Sequence, residues 1–143
     1  MFNLSLGVRQ GCILSPLLFN IFLCDLAKTL SDLNTNLKLN DTCINSIFWA
    51  DDLVMLADSE EKLKEMLKIL EDYCRTNELT LNTKKTKCMT FNKGGRLLSR
   101  DFFLNGTKLE NVRSYKYLGF ILTPSGEINT GLRISGTEGS RRL

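Results

Sequence analysis

From Ser15 to Ser31 the apolar residues Leu17, Leu18, Phe19, Ile21, Phe22, Leu23, Leu26 and Leu30 fall on nearly every face of a 3.6-residue period. Such a pattern predicts a buried helix. Ser15 followed by Pro16 predicts its start, with serine as N-cap and proline in the first helical position. A second helix is predicted to run to about Asn77. Its apolar stripe is Leu63, Met66, Leu67, Leu70 and Tyr73, while Lys62, Lys64, Glu65 and Lys68 face water. Asp58 and Glu61 have the spacing of a capping box for it.

Between the helices lies a polar stretch, 32–41, then two apolar runs, 43–50 and 53–57, divided only by Asp51-Asp52. That pattern predicts a β-hairpin with the two aspartates as its turn. Beyond Asn77, short strands are expected at 79–81 and 88–91, flanking a basic loop at 83–87. A hairpin follows, 102–104 and 108–112 about Asn105-Gly106, then a further strand over 115–122. From Pro124 the chain has recurrent glycine and little periodicity, which predicts a loose tail over 125–143. The expected fold class is α+β: one domain over 1–124, with an antiparallel sheet whose hairpin packs on two helices.

Composition adds exclusions. The 143 residues, 43% hydrophobic and 24% charged, suit one globular domain with a core that needs no disulfide staples. There is no histidine, so catalytic triads, Cys-His pairs and His-ligated zinc or haem are out. Five cysteines, none in a C-x-x-C pair, read as reduced and mostly buried thiols of an intracellular protein. The apolar run 12–27 is interrupted by Ser15, Pro16, Asn20 and Asp25 and is too short to span a bilayer comfortably, so no membrane association is expected. A secretory signal is the rival reading, but no small-x-small cleavage site follows.

Charge is distributed unevenly. Residues 1–81 carry 7 basic and 12 acidic side chains, net −5, whereas 82–143 carry 12 basic and 4 acidic, net +8. A basic half suits a polyanion such as nucleic acid, although a solvated lysine face gives the same bias.

Two segments carry candidate chemistry. Adjacent carboxylates roughly 5 Å apart repel by roughly 3 kcal/mol at an effective dielectric of about 20, and by under about 1 kcal/mol in water. Asp51-Asp52 is therefore either a plain polar turn or, in a cleft, a site that needs a cation. Hard carboxylate oxygens suit Mg²⁺, which takes one or two protein carboxylates plus substrate phosphates. Upstream, Gly11 permits close backbone approach, Gln10 both donates and accepts, and Arg9 can meet phosphate. A loop feeding a capped helix would look the same.

Four motifs in order decide between these readings. Gly7-x-x-Gln10-Gly11-x-x-x-Ser15-Pro16-x-Leu18-Phe19, Ala50-Asp51-Asp52 between apolar strands, Asn82-x-x-Lys85-Thr86 and Tyr117-Leu118-Gly119 together resemble the palm of reverse transcriptases. The Arg-Gln-Gly-Cys wording is similar to that of non-LTR retrotransposons. The resemblance covers about residues 3–122 and implies a partial polymerase palm. Its activity would be RNA-directed DNA polymerisation with two Mg²⁺ (or Mn²⁺) ions, on a primed RNA template with a DNA primer and deoxynucleoside triphosphates. By position, the resemblance implies that Asp51 corresponds to the family's metal-binding carboxylate on the catalytic turn, with Asp52 beside it in a supporting role. Arg9, Gln10 and Gly11 line the pocket for nucleotide and template. The resemblance matches Lys85 to a lysine near the departing pyrophosphate, where an ammonium neutralises charge or donates a proton; a solvated loop lysine beside Lys84 and Lys87 is the equal alternative. The resemblance implies that Tyr117, Leu118 and Gly119 contact the primer end, whereas the residues alone read as an ordinary edge strand with Gly119 marking a bulge.

The chain departs from the family's pattern in places. The family's first palm aspartate precedes the Gln-Gly motif, and here only residues 1–6 stand before Gly7, so the isolated chain is expected to be inactive. Trp49 stands where tyrosine or phenylalanine is usual, and Glu78 where glycine is common. An alternative reading is a domesticated palm that binds nucleic acid without chemistry. The Asn-x-Thr matches at Asn40 and Asn105 are read as turns rather than glycosylation sites.

Overall fold

The computed structural model describes residues 14–33, 35 and 37–130, with side chains through Glu127. The chain forms two compact units, Met1–Leu81 and Asn82–Leu143, where the sequence pattern suggests one domain over 1–124. The boundary falls where the charge changes sign, so the first unit is acidic and the second basic.

The first unit holds helix α1 (Ser15–Ser31), a short hairpin of β1 (Lys38–Leu39) and β2 (Thr42–Cys43), a second hairpin of β3 (Ser46–Trp49) and β4 (Asp52–Met55), and helix α2 (Glu60–Thr76). Both helices are where the periodicity predicts them, each with its cap displaced by one residue. Leu14, not Ser15, is the N-cap of α1, and no side chain caps that end. Ser59, not Asp58, caps α2, its hydroxyl accepting from the Lys62 amide at 3.3 Å. Asp58 instead pairs with the Lys62 ammonium at 3.1 Å.

The core of this unit is Leu26 and Leu30 from α1 with Met66, Leu67, Leu70 and Cys74 from α2. Tyr73 ties the helices together: its hydroxyl donates to the Phe22 carbonyl at 2.5 Å and its ring meets that of Phe22 edge-on. Burial foremost, with the Asp25 charge second, raises the Tyr73 pKa. Asn45 is a buried polar residue that the sequence pattern does not reveal. Its amide donates to the carbonyls of Leu30 and Leu33, closing the C-terminal end of α1, and its own carbonyl accepts from Leu56 to extend the β3–β4 ladder. The expectation that α1 is buried all round fails in its first half. Leu17, Leu18 and Ile21 are 56%, 52% and 59% exposed, because α2 and β3 cover only the later turns among the described residues.

The end of α2 explains Glu78. The Leu79 amide donates to the Cys74 carbonyl and Asn77 to Tyr73, a Schellman ending that puts Glu78 at φ +56°. Only glycine adopts that backbone without cost. Glu78→Gly is expected to stabilise the first unit by about 1 kcal/mol, read as a higher denaturant midpoint at constant slope.

The second unit is built of short strands: β5 (Lys87–Cys88), β6 (Phe103–Leu104), β7 (Thr107–Lys108), β8 (Glu110–Asn111), β9 (Tyr115–Tyr117), β10 (Phe120–Leu122) and β11 (Ile128–Thr130). Residues 79–81 form no strand, and the expected single antiparallel sheet is replaced by several small ones. One pair, β5 with β8, is parallel, its register locked by the Lys87–Glu110 ion pair at 2.6 Å. The β6–β7 hairpin turns at Asn105-Gly106 as expected, both residues at positive φ. The strand expected over 115–122 is instead a hairpin, β9–β10, turning at Leu118-Gly119. Beyond Pro124 the chain turns and pairs again as β11 on β10, so 125–130 are not loose; 131–143 lie outside the described residues. Cys88, Phe102, Leu104 and Leu109 form the buried core of this unit.

The four described cysteines are free; Cys74 and Cys88 are buried, Cys24 and Cys43 exposed, and Cys12 lies outside the described residues. Burial pushes Cys74 up and Cys88 up to about 11, from 9.0. A thiol held neutral in the fold stabilises it fully below pH 9 and loses that contribution as pH rises towards 11, because the unfolded chain ionises first. Alkaline titration is expected to lower the melting temperature across that window, less in Cys88→Ala. At pH 8, maleimide should label Cys24 and Cys43 well before Cys74 and Cys88.

Candidate active site

The carboxylate pair sits at the tip of the β3–β4 hairpin, one position away from the expected register. Trp49 pairs with Asp52, so the two turn residues are Ala50 and Asp51, and Asp52 opens β4. Ala50 takes φ +51°, a left-handed conformation that costs an L-residue about 1 kcal/mol. Asp51 and Asp52 are exposed, as are Trp49 and Ile47 on the same strand. The chain thus offers two sequence-adjacent, solvent-exposed carboxylates at a short hairpin turn, where water and phosphate oxygens could complete a shell. That donor set fits Mg²⁺ or Mn²⁺ as a partial site. Among the described residues, no group of three histidine, cysteine, aspartate or glutamate side chains could hold a metal ion.

Lys85 is in the second unit, on a turn built by Asn82. The Asn82 side-chain oxygen and carbonyl both accept from the Lys85 amide at 3.1 Å, and the carbonyl also takes the Thr86 amide and hydroxyl. This explains the Asn82-x-x-Lys85-Thr86 spacing: asparagine and threonine shape the turn, and Lys84 and Lys85 are presented to solvent.

Tyr117, Leu118 and Gly119 form the tip of the β9–β10 hairpin. Leu118 is 46% exposed at φ +48°, where asparagine or glycine would sit at lower cost. An apolar residue both strained and exposed at a hairpin tip violates local preference twice, the pattern expected where function outweighs stability. Arg9, Gln10 and Gly11 lie outside the described residues. Among the described residues no helix is long and apolar enough to cross a membrane.

Comparison with known proteins places the chain among nucleic-acid polymerases. Residues 2–122 match the family model described as reverse transcriptase (RNA-dependent DNA polymerase). A Pol polyprotein from the type-1 retrotransposable element R2 of Popillia japonica is 33% identical over 84% of this chain and 21% of its own length. The corresponding polyprotein from the type-2 element R2DM of Drosophila melanogaster is 30% identical over 85% of this chain and 12% of its own. The RNA-directed DNA polymerase of the mobile element jockey from Drosophila funebris is 30% identical over 83% of this chain and 13% of its own. The chain belongs to the reverse transcriptase family, and these relatives are of the non-LTR kind that the Arg-Gln-Gly-Cys wording suggests. It spans between an eighth and about a fifth of their length.

Proposed function

We infer that this chain forms the catalytic-turn part of an RNA-directed DNA polymerase of the non-LTR type, a partial palm acting in an intracellular setting. The observation that carries the reading is the Ala50-Asp51 turn, which exposes the Asp51 and Asp52 carboxylates at the end of a tight hairpin within a family match over residues 2–122. In this reading Asp51 is the metal ligand and Asp52 supports it. When bound, the divalent ions make the primer hydroxyl a better nucleophile and neutralise charge on the phosphates.

The remaining roles fall to this chain's own groups. Gln10 and Gly11, with Arg9 beside them, shape the pocket for template base and incoming nucleotide. Lys85 brings a positive charge to the leaving pyrophosphate, and its exposed turn leaves it able to reach an anion. Tyr117, Leu118 and Gly119 bear on the primer end, which accounts for keeping a strained leucine at that tip. The substrates are a primed RNA template, its DNA primer and deoxynucleoside triphosphates. The test is primer extension by a relative's polymerase in which residues 2–122 of this chain replace the matching segment. Mg²⁺-dependent extension is expected. A chimera that melts cooperatively, binds primed RNA and adds no nucleotide overturns the reading.

A second reading, nucleic-acid binding without chemistry, is favoured by one observation: the net charge of +8 is confined to the second unit. Binding would then be salt-sensitive, weakened by neutralising Lys84, Lys85 and Lys87, and unchanged in Asp51→Asn.

A further inference from the structure

The segment Phe91-Asn92-Lys93-Gly94-Gly95-Arg96 in the second unit takes no part in the site described above. Asn92 organises it from within. Its side-chain oxygen accepts from the Arg96 amide at 3.1 Å and its side-chain nitrogen donates to the Arg96 carbonyl at 2.7 Å. The Gly95 amide donates to the Asn92 carbonyl at 3.0 Å, and the Asn92 amide donates to the Pro124 carbonyl at 2.8 Å, which pins the loop against the neighbouring turn. Gly95 stands at φ +58°, and a Cβ there would meet the Ser125 side chain at 3.2 Å, so this position is specified for glycine on two counts.

With Asn92 filling the inside of the turn, Lys93, Gly94, Gly95 and Arg96 are all exposed. Two exposed cations, Lys93 and Arg96, bracket two exposed glycines that carry no side chain of their own. Phe91, immediately before the clamp, leaves 52% of its surface in water. The one carboxylate in the adjoining turn segment is Glu127, exposed and one residue past Gly126. An exposed aromatic residue two positions before a lysine and five before an arginine, on a hydrogen-bonded loop, suits a strand of unpaired nucleotides: a base stacks on the ring and the flanking phosphates meet lysine and arginine. Duplex nucleic acid, whose bases are already stacked, gains nothing from the ring.

We propose that the 91–96 loop is a binding site for single-stranded nucleic acid, built from residues other than those of the carboxylate hairpin and the Lys85 turn. The proposal rests on the polymerase reading for the presence of such a strand, and names a strand-binding surface which that reading does not assign. The experiment is fluorescence anisotropy of the 143-residue protein with a labelled 20-nucleotide single strand and with the matching duplex, over a KCl series.

Lys93→Ala with Arg96→Ala is expected to weaken single-strand binding roughly tenfold and to reduce the slope of log affinity against log salt by about 1.4, close to 0.7 for each phosphate no longer neutralised. Phe91→Ala is expected to weaken single-strand binding roughly tenfold while leaving duplex binding and the salt slope unchanged. Two results overturn the proposal: Lys84→Ala with Lys85→Ala abolishing binding while the loop variants bind like the parent, or equal loss of duplex binding in Phe91→Ala. In either case the polymerase reading stands, because nucleic acid is still bound. Absence of binding to any probe at low salt overturns the proposal and counts against that reading as well. Melting curves on each variant distinguish weakened binding from unfolding.

Discussion

Asp51→Asn is expected to reduce Mg²⁺-dependent primer extension by at least about a thousandfold in an active chimera carrying this segment, the scale on which single strong electrostatic contributors act in phosphoryl transfer. If Asp51 has the proposed metal-ligand role, the loss should fall on kcat, because a carboxylate in that role works where charge builds up rather than in holding the template. The fold should not notice the change. Asp51 is an exposed turn residue, and asparagine is at least as well suited to a turn. Unchanged melting with extinguished extension is therefore the signature to look for, and extension within tenfold of the parent would remove Asp51 from the catalytic role. Asp52→Asn should cost less on the proposed reading, in which that residue, starting β4 opposite Trp49, has only a supporting part.

Leu30→Ala carries the largest expected effect on stability. Leu30 is fully buried, and its carbonyl accepts the Asn45 amide that closes the end of α1. Truncating it leaves a cavity where the helix meets α2, at a cost of about 3 kcal/mol. For a unit whose buried core is a handful of side chains, that is a large share of any stability a domain of this size has. Chemical denaturation followed by far-UV circular dichroism should show the first unit's midpoint collapse, with Leu17→Ala as the contrast. Leu17 is 56% exposed on the same helix, and its truncation should cost under about 1 kcal/mol. Equal losses from the two variants would mean that the first turns of α1 are as buried as the last.

Helix existence and type are legible in the sequence because seventeen residues of periodic pattern outweigh any local ambiguity in α1 and α2. Their starts are legible to within one residue: Ser59 stands beside Asp58, which could also cap, and Ser15 takes helical geometry itself, leaving Leu14 in the cap position. The β3–β4 hairpin shows in its two apolar runs, but its register does not. Whether the turn is Ala50-Asp51 or Asp51-Asp52 depends on Ala50 accepting a left-handed backbone, which alanine does not advertise. The β9–β10 hairpin reads as one strand for the same reason: leucine before glycine looks like strand continuing, whereas Asn105-Gly106 declares its turn openly. Asn45 and the parallel β5–β8 pair rest on partners distant in sequence, and no local pattern encodes them. The carboxylates, Lys85 and the Tyr117-Leu118-Gly119 tip emerge from the order of motifs rather than from the physics of any single one.

Ala50, Glu78 and Leu118 share the left-handed backbone, and glycine would relax all three. Most substitutions by glycine weaken a protein, so these positions invert the usual sign in a saturation survey of stability. At Glu78, outside the proposed chemistry, the inversion would carry no penalty. At Ala50 and Leu118, on the proposed function, it would trade a fixed carboxylate-bearing turn and a fixed tip for looser ones, so a survey scored on folding and one scored on polymerisation should rank glycine in opposite directions. Disagreement between two such maps would single out these hairpin tips from mutational data alone, with no structure in hand.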